Sequence, residues 1–289
     1  MAPVLFSFGH GYSAQALSQL LLPQGWKIYG TTRTVEKAAK LDGQGVVPIV
    51  WPGNDINVAL DQATHLLISA GPEGEGGDPV LRRARAEIEA RAGDLDWAGY
   101  LSTTGVYGDH GGAWVDETTA LNPATSRGQL RVDAEAAWQS IENLPLHIFR
   151  LAGIYGPGRG PFAKVRNGTA RRIIKPGQVF SRIHVEDIAQ VLAASIARPN
   201  PGAIYNVCDN EPAPPEDVIG HAAELLGLPL PPAVDFETAE MSPMARSFYA
   251  ESKRTSNERI KSELGVKLRY PDYRSGLQAL LAEEKRTPA

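Results

Sequence analysis

Cysteine is nearly absent from this chain of 289 residues: Cys208 stands alone. A single cysteine cannot close an internal disulfide or build a Cys-rich metal site, and it suits a reducing compartment. Long apolar runs are also missing. Nothing approaches the ~18 apolar residues that a membrane-crossing helix needs. The first 26 residues contain no Lys, Arg, Asp or Glu. A secretory signal would need a basic start and an unbroken apolar stretch, and His10, Ser13, Gln15, Ser18 and Gln19 interrupt this one. A cytoplasmic chain with no membrane partner is therefore expected. No excess of basic charge exists either. Lys+Arg total 29 against Asp+Glu 33, a net charge of -4. That balance argues against a general nucleic-acid binder. The histidines at 10, 65, 110, 147, 184 and 221 show no ligand spacing, so no metal is expected. P-loop, Cys-x-x-Cys and Ser-His-Asp patterns are missing too, as are repeats and heptads.

What remains is an ordinary globular composition, 43% hydrophobic and 21% charged, ample for a large core without staples. Short apolar runs read as strands at Val4–Phe8, Trp26–Thr32, Val46–Trp51, His65–Ser69, Trp97–Ser102 and Leu146–Leu151. Helical spacing lies between them: Ala16 to Leu21, Val35 to Leu41, Ala59 to Ala63, Pro79 to Ala92 and Ala134 to Ile141. Strands alternating with helices predict an α/β fold, a doubly wound parallel sheet with helices on both faces. After Ile154 the chain turns rich in Gly, Pro and Arg. Sheet-like segments return at Val179–Val185 and Ala203–Val207, and Asp217–Leu226 reads as a helix.

Gly9-x-Gly11-x-x-Ala14 falls between the first strand and the first helix. In that context it is a dinucleotide fingerprint. Gly9 allows the tight turn. Gly11 lets the backbone approach a pyrophosphate at the helix N-terminus, flanked by Tyr12 and Ser13, and Ala14 packs helix on strand. NAD-binding versions carry an acidic residue at the end of the second strand. Here that strand ends Thr31-Thr32-Arg33-Thr34. Arg33 offers a planar fork to a ribose 2′-phosphate, with Thr32 beside it and Lys37 one turn on. NADP(H) is therefore expected over NAD(H). Ser69 and Ala70, after the fourth strand, should edge the adenosine side. The division that follows is a dinucleotide-binding unit of residues 1–153 plus about 178–208, and a smaller α/β substrate unit of about 154–177 plus 209–289.

Several segments together resemble the extended short-chain dehydrogenase/reductase superfamily, and within it the atypical YeeZ-like members. They are Gly9-x-Gly11-x-x-Ala14, Leu101 to Gly108, Arg150 to Gly158, Arg182 to Ala189 and Ile204 to Val207. The resemblance implies a Rossmann fold and the chemistry of NAD-dependent epimerases and dehydratases. It places Thr103 at the catalytic Ser/Thr position, four residues before Tyr107. It implies cofactor contacts at Leu151 and Gly153. The family's catalytic Tyr-x-x-x-Lys is replaced by Arg127-x-x-x-Arg131. A guanidinium stays protonated and cannot shuttle protons. Arg131 is still able to hold a nicotinamide ribose, and Arg127 to orient an anionic or carbonyl group. Tyr107, Arg159 and His184 are candidate substrate contacts. Arg159, Lys164, Arg166, Arg171, Arg172 and Lys175 suggest a basic pocket for a small anion.

Three functions fit. One is an NADP(H)-dependent oxidoreductase or epimerase-like enzyme on a small carbonyl or sugar-derived substrate, with its proton source unassigned. Another is an inactive NADP(H)-binding regulator or interaction protein. The third is a lyase or isomerase that keeps the nucleotide bound as a redox helper. A homodimer is expected by family resemblance alone.

Overall fold

A computed structural model describes residues 2–286, apart from the side chain of Glu75. In chain order the strands are β1 Val4–Phe8, β2 Lys27–Thr32, β3 Val47–Val50, β4 His65–Ile68, β5 Trp97–Thr103, β6 Trp114–Val115, β7 Leu146–Leu151, β8 Gly153–Tyr155, β9 Arg172–Ile174, β10 Arg182–His184, β11 Ile204–Val207, β12 Ala233–Asp235 and β13 Arg254–Thr255. The helices are α1 Tyr12–Leu21, α2 Val35–Asp42, α3 Asn57–Asp61, α4 Leu81–Arg91, α5 Ser126–Gln139, α6 Phe162–Arg166, α7 Val185–Ala197, α8 Pro215–Leu226, α9 Pro243–Phe248, α10 Glu258–Ser262 and α11 Tyr273–Arg286.

Seven strands form one sheet in the order β11-β7-β5-β4-β1-β2-β3, and every pair in it is parallel. Parallel strands covered on both faces read as near-continuous apolar runs. The β1 sequence Val-Leu-Phe-Ser-Phe is such a run, and Leu5, Phe6 and Phe8 are fully buried. Its register sets Leu5 beside Ile28 on one flank and His65 on the other. The expected doubly wound sheet is therefore present.

The two faces carry separate cores. Leu17 and Leu21 of α1 meet Ile188, Val191 and Leu192 of α7 on one face. Ala84 and Ile88 of α4 meet Ala134 and Trp138 of α5 on the other. Full burial of such a side chain is worth roughly 1.5–3 kcal/mol. Two indoles meet polar partners inside these cores: Trp97 Nε1 donates to Ser195 Oγ at 3.0 Å, and Trp138 Nε1 to Asp78 Oδ2 at 3.0 Å.

A third core joins α6, α8 and α11 through Phe162, Val165, Ala222, Leu277 and Leu280. Three short parallel pairs, β8–β10, β9–β12 and β6–β13, lie apart from the main sheet. The last pair decides the site. It returns the chain to β6 and so brings Glu251 to Thr255 back beside the segment that follows β5.

Helix α5 begins at Ser126, eight residues before the helical stretch read at Ala134. The Thr125 side chain caps it by accepting from the Gly128 N–H at 3.1 Å. The extra turns put Arg127 and Arg131 on α5, four residues apart and on one face. No described helix is long and apolar enough to cross a membrane.

Candidate functional site

The turn after β1 is built around Gly9, whose φ is +74°. A Cβ there would lie 2.8 Å from the Ala70 backbone nitrogen, so no larger residue fits. The Gly9 N–H donates to Thr31 Oγ1 at 2.7 Å, and the His10 N–H to the Thr31 carbonyl at 2.8 Å. The Ser69 hydroxyl donates to the Gly9 carbonyl. The end of β2 and the loop after β4 thus fix the turn from both sides. No side chain caps α1. A Cβ on Gly11 would meet only the Gly9 carbonyl oxygen, at 3.6 Å. Open space in front of uncapped helical N–H groups is what a phosphate requires. Ala14 is fully buried and Ser13 nearly so, where α1 sits on the sheet.

The residues fit a dinucleotide. Thr32 is buried at the end of β2. Arg33, next in the chain, is exposed, and its guanidinium meets Glu73 at 3.0 Å with side chains 74% and 59% accessible. An ion pair this exposed is worth little, so Arg33 is available to an arriving anion. The Tyr12 hydroxyl donates to the Pro157 carbonyl at 2.9 Å. Arg159 lies over the Tyr12 ring, 4.5 Å from its centre.

A cavity of about 610 Å³ opens at the C-terminal ends of β5 and β7. That is where open α/β sheets bind ligands. Thr103 closes β5 and lines it. Its Oγ1 accepts from the Gly105 N–H at 3.2 Å, which leaves the hydroxyl proton to give. Arg131 donates to the Leu101 carbonyl at 2.8 Å and the Tyr100 hydroxyl at 3.0 Å. Its free edge reaches the loop after β4: a Cβ on Gly71 would stand 2.7 Å from Arg131 Nη2. Arg127 donates to Ser247 Oγ at 3.2 Å and lies over the Phe248 ring at 5.2 Å, which ties α5 to α9. Gly153 lines the cavity after β7.

Two further cations line it. Arg182 Nη1 donates to the carbonyls of Phe180 and Ala213, at 2.9 and 3.0 Å. Lys253 is buried, with Nζ donating to the Gly108 carbonyl at 2.8 Å and to Glu251 Oε2 at 2.6 Å. Burial pulls the Arg182 pKa down. Near it, burial pushes the Asp209 carboxyl up to about 8. Tyr155 also borders the cavity, but its hydroxyl turns to the Asp272 carbonyl at 3.4 Å and crowds Gly276 of α11. Among the described residues no His, Cys, Asp or Glu cluster is placed to hold a metal ion.

None of the three expected substrate contacts, Tyr107, Arg159 and His184, lies in the lining of this cavity. Tyr107 is fully buried, and its hydroxyl donates to Asn206 Oδ1 at 2.7 Å and accepts from Arg150 at 3.0 Å. It belongs to a sealed polar network. In that network Arg150 pairs with Glu135 at 2.7 Å, and Ser102 donates to Glu135 at 2.5 Å. His184 is the N-cap of α7: its Nδ1 accepts from the Glu186 N–H at 3.2 Å. Its ring packs 4.0 Å from that of Tyr270, and burial lowers its pKa to about 4. Arg159 sides with Tyr12 rather than with the cavity.

The basic run disperses as well. Arg166 pairs with Glu284, Arg171 and Arg172 hold the carbonyls of Glu240 and Pro231, and Lys175 holds that of Tyr249. Leu151 is buried, and it is the following Ala152 that reaches the cavity wall. Sequence reasoning missed Arg182, Glu251 and Lys253. Arg182 stood in a recognised motif and so had a signal. Lys253 had none, because its place depends on β13 finding β6.

No family model matches the chain. It is 29% identical over 277 residues to protein YeeZ of Escherichia coli K12, across 91% of this chain and 95% of that one. A solved structure of a functionally unknown conserved protein from Silicibacter pomeroyi DSS is 64% identical. It superposes with a TM-score of 0.95 over 98% of this chain and 99% of the other. An NAD-dependent epimerase/dehydratase candidate from Methylobacillus flagellatus is 26% identical with a TM-score of 0.71, over 98% and 99%. Over nearly its whole length the chain is thus similar to protein YeeZ and to an epimerase/dehydratase candidate. The fold alone extends further, at 16% identity, to a Bacillus cereus UDP-glucuronic acid 4-epimerase solved with NAD (TM-score 0.78; 98% and 99% covered). It extends likewise to the human epimerase family protein SDR39U1 solved with NADPH (TM-score 0.76; 96% and 99% covered). The chain thus has an epimerase/dehydratase-like fold, with Arg127 and Arg131 at the positions where the resemblance implies Tyr and Lys.

Proposed function

We propose that the protein is an NADP(H)-dependent oxidoreductase acting on a small anionic or carbonyl substrate, which it binds in the cavity beside β5. The contact between Arg131 and the Gly71 loop carries this reading, because it joins the glycine turn to the cavity wall. Gly9, Gly11, Ser13 and Ala70 would shape the pyrophosphate turn. Thr32 and Arg33 would hold a 2′-phosphate in exchange for Glu73. A bound nicotinamide supplies or accepts the hydride. The chain's own groups do the rest. Thr103 donates a hydrogen bond to the reacting oxygen, Arg131 fixes the ribose side, and Arg127 stabilises negative charge as it grows on that oxygen. No arginine releases a proton, so the reduced oxygen takes its proton from water in the open cavity. The sheet with α1 to α5 and α7 would form the dinucleotide unit, and the α6, α8 and α11 core the substrate unit.

The test is a panel of small carbonyl acids and sugar-derived ketones with NADPH, following loss of the reduced nicotinamide. Turnover that falls in both Thr103→Ala and Arg127→Ala supports the assignment. Turnover unchanged in both sinks the proposed roles. Tight NADPH binding with no turnover on any substrate favours a second reading, an inactive binding protein. The observation behind that reading is that the hydroxyls of Tyr107 and Tyr155 turn to Asn206 and Asp272 rather than into the cavity.

A further inference from the structure

The lining of the cavity is charged in one direction. Arg127, Arg131, Arg182 and Lys253 face it against the single carboxylate of Glu251, on a chain whose net charge is -4. Glu251 is already taken by Lys253 at 2.6 Å. Among the described residues no carboxylate lies within salt-bridge distance of Arg127, Arg131 or Arg182. A cation drawn out of water, as Arg182 is, is ordinarily paired. Arg182 spends Nη1 on two backbone carbonyls and leaves Nε and Nη2 without an acceptor. Those two nitrogens form the edge of a guanidinium that takes a carboxylate through parallel hydrogen bonds. Lys253 has three N–H donors and two acceptors, so one donor is left over. Burial pushes the Asp209 carboxyl near Arg182 up to about 8, which weakens it as a counter-ion.

Beside the hydroxyls of Thr103, Thr104, Thr125, Ser181, Ser247 and Thr255, part of the lining is apolar and aromatic. Phe180 and Phe248 both border the cavity, with Val179 and Ile154. Phe180 is braced edge-on by Tyr249 at 5.7 Å. Phe248 is 55% exposed on the short helix α9, held over the cavity by its contact with Arg127. An exposed ring beside unpaired cations matches a ligand that is flat at one end and anionic at the other.

We infer that this cavity binds an aromatic carboxylate, its carboxylate taken by Arg182 and Lys253 and its ring by Phe180 and Phe248. The inference deepens the substrate half of the proposed function and rests on the same cavity, but not on the glycine turn. It gives Arg182 and Lys253 a ligand-binding task that neither their position in the fold nor their backbone contacts explains.

The probe is 4-fluorobenzoate, titrated into the full chain and followed by fluorine NMR, with and without saturating NADPH. Neutral 4-fluorobenzamide is the charge control, and acetate is the competitor that lacks a ring. Saturable fluorobenzoate binding is expected, with the amide weaker by about tenfold or more, the scale of a lost charged hydrogen bond. Arg182→Gln and Lys253→Gln should each raise the Kd by a similar factor, and Lys253→Arg should restore part of the loss. Should Arg182→Gln not fold, as judged by near-ultraviolet circular dichroism, Lys253→Gln decides. Equal binding of the amide, no saturable binding, or unchanged affinity in the variants overturns the carboxylate clamp. Displacement by acetate as readily as by unlabelled benzoate overturns the aromatic half. NADPH affinity measured on the same samples separates the two readings. Fluorobenzoate binding without NADPH binding leaves the clamp and removes the oxidoreductase, and the reverse does the opposite.

Discussion

Arg150 and the three cavity arginines, Arg127, Arg131 and Arg182, live under opposite rules. Arg150 is 4% exposed, and its guanidinium is closed off by Glu135, Tyr107 and their neighbours Ser102 and Asn206. Burial works against its charge, but the Glu135 carboxylate outweighs burial and pushes its pKa up. Arg127, Arg131 and Arg182 line a cavity instead, and their hydrogen bonds go to neutral oxygens. The sealed charge is satisfied inside the protein and serves the fold. The open charges are only partly satisfied and await something from outside. Fully paired buried ions hold a structure in register, whereas unpaired ones at a cavity cost stability and are kept where they bind.

The sharpest way to break this contrast is Glu135→Gln. It leaves Arg150 buried without its counter-ion, and stability should fall by about 3–5 kcal/mol, measured by urea unfolding. A loss no larger than that of a surface substitution would mean that the network is not sealed.

Next comes Asp209→Asn. The Asp209 pKa is raised by burial to about 8, against about 3.9 in an unfolded chain. The native state therefore holds the proton longer. Wild-type stability should be greatest below the unfolded value and be lost as pH rises through the window toward 8. Replacement by Asn should flatten that decline, by about 3–4 kcal/mol between pH 5 and 8. Unfolding curves that run parallel for the two proteins across the window would contradict the assignment.

Arg33→Ala should weaken NADPH by about 10- to 100-fold and leave NADH almost unchanged, since only the former offers the 2′-phosphate. Comparable losses for both nucleotides would place Arg33 elsewhere. The smallest stability effect belongs to Arg127→Met, under about 0.5 kcal/mol, because Arg127 is an exposed side chain that no carboxylate pairs. A large loss would show that Arg127 belongs with Arg150 and not with the cavity.

The parallel sheet was legible because its strands are local apolar runs, and Leu146–Leu151 is read from the sequence to the residue. The glycine turn was legible because Gly9, Gly11 and Ala14 sit within six residues of one another. Tyr107 and His184 misled because their motifs mark positions near the site, while their side chains serve burial and helix capping. The basic run misled for a related reason: Arg166, Arg171 and Arg172 are close in sequence but face different partners. Lys253 was invisible because nothing local announces a two-residue strand, and it reaches the cavity only when β13 pairs with β6 across nearly half the chain. Long-range pairing of this kind leaves no periodic trace in the residues it joins.

The central claim is that the glycine turn and the cavity form one nucleotide-dependent site. Calorimetric titration of NADPH and NADH into the protein tests it most directly, with Arg131→Met as the variant that cuts the contact between the two parts. Saturable binding, tighter for NADPH and weakened for both nucleotides in Arg131→Met, is the expected result. Absence of binding by either nucleotide would contradict it.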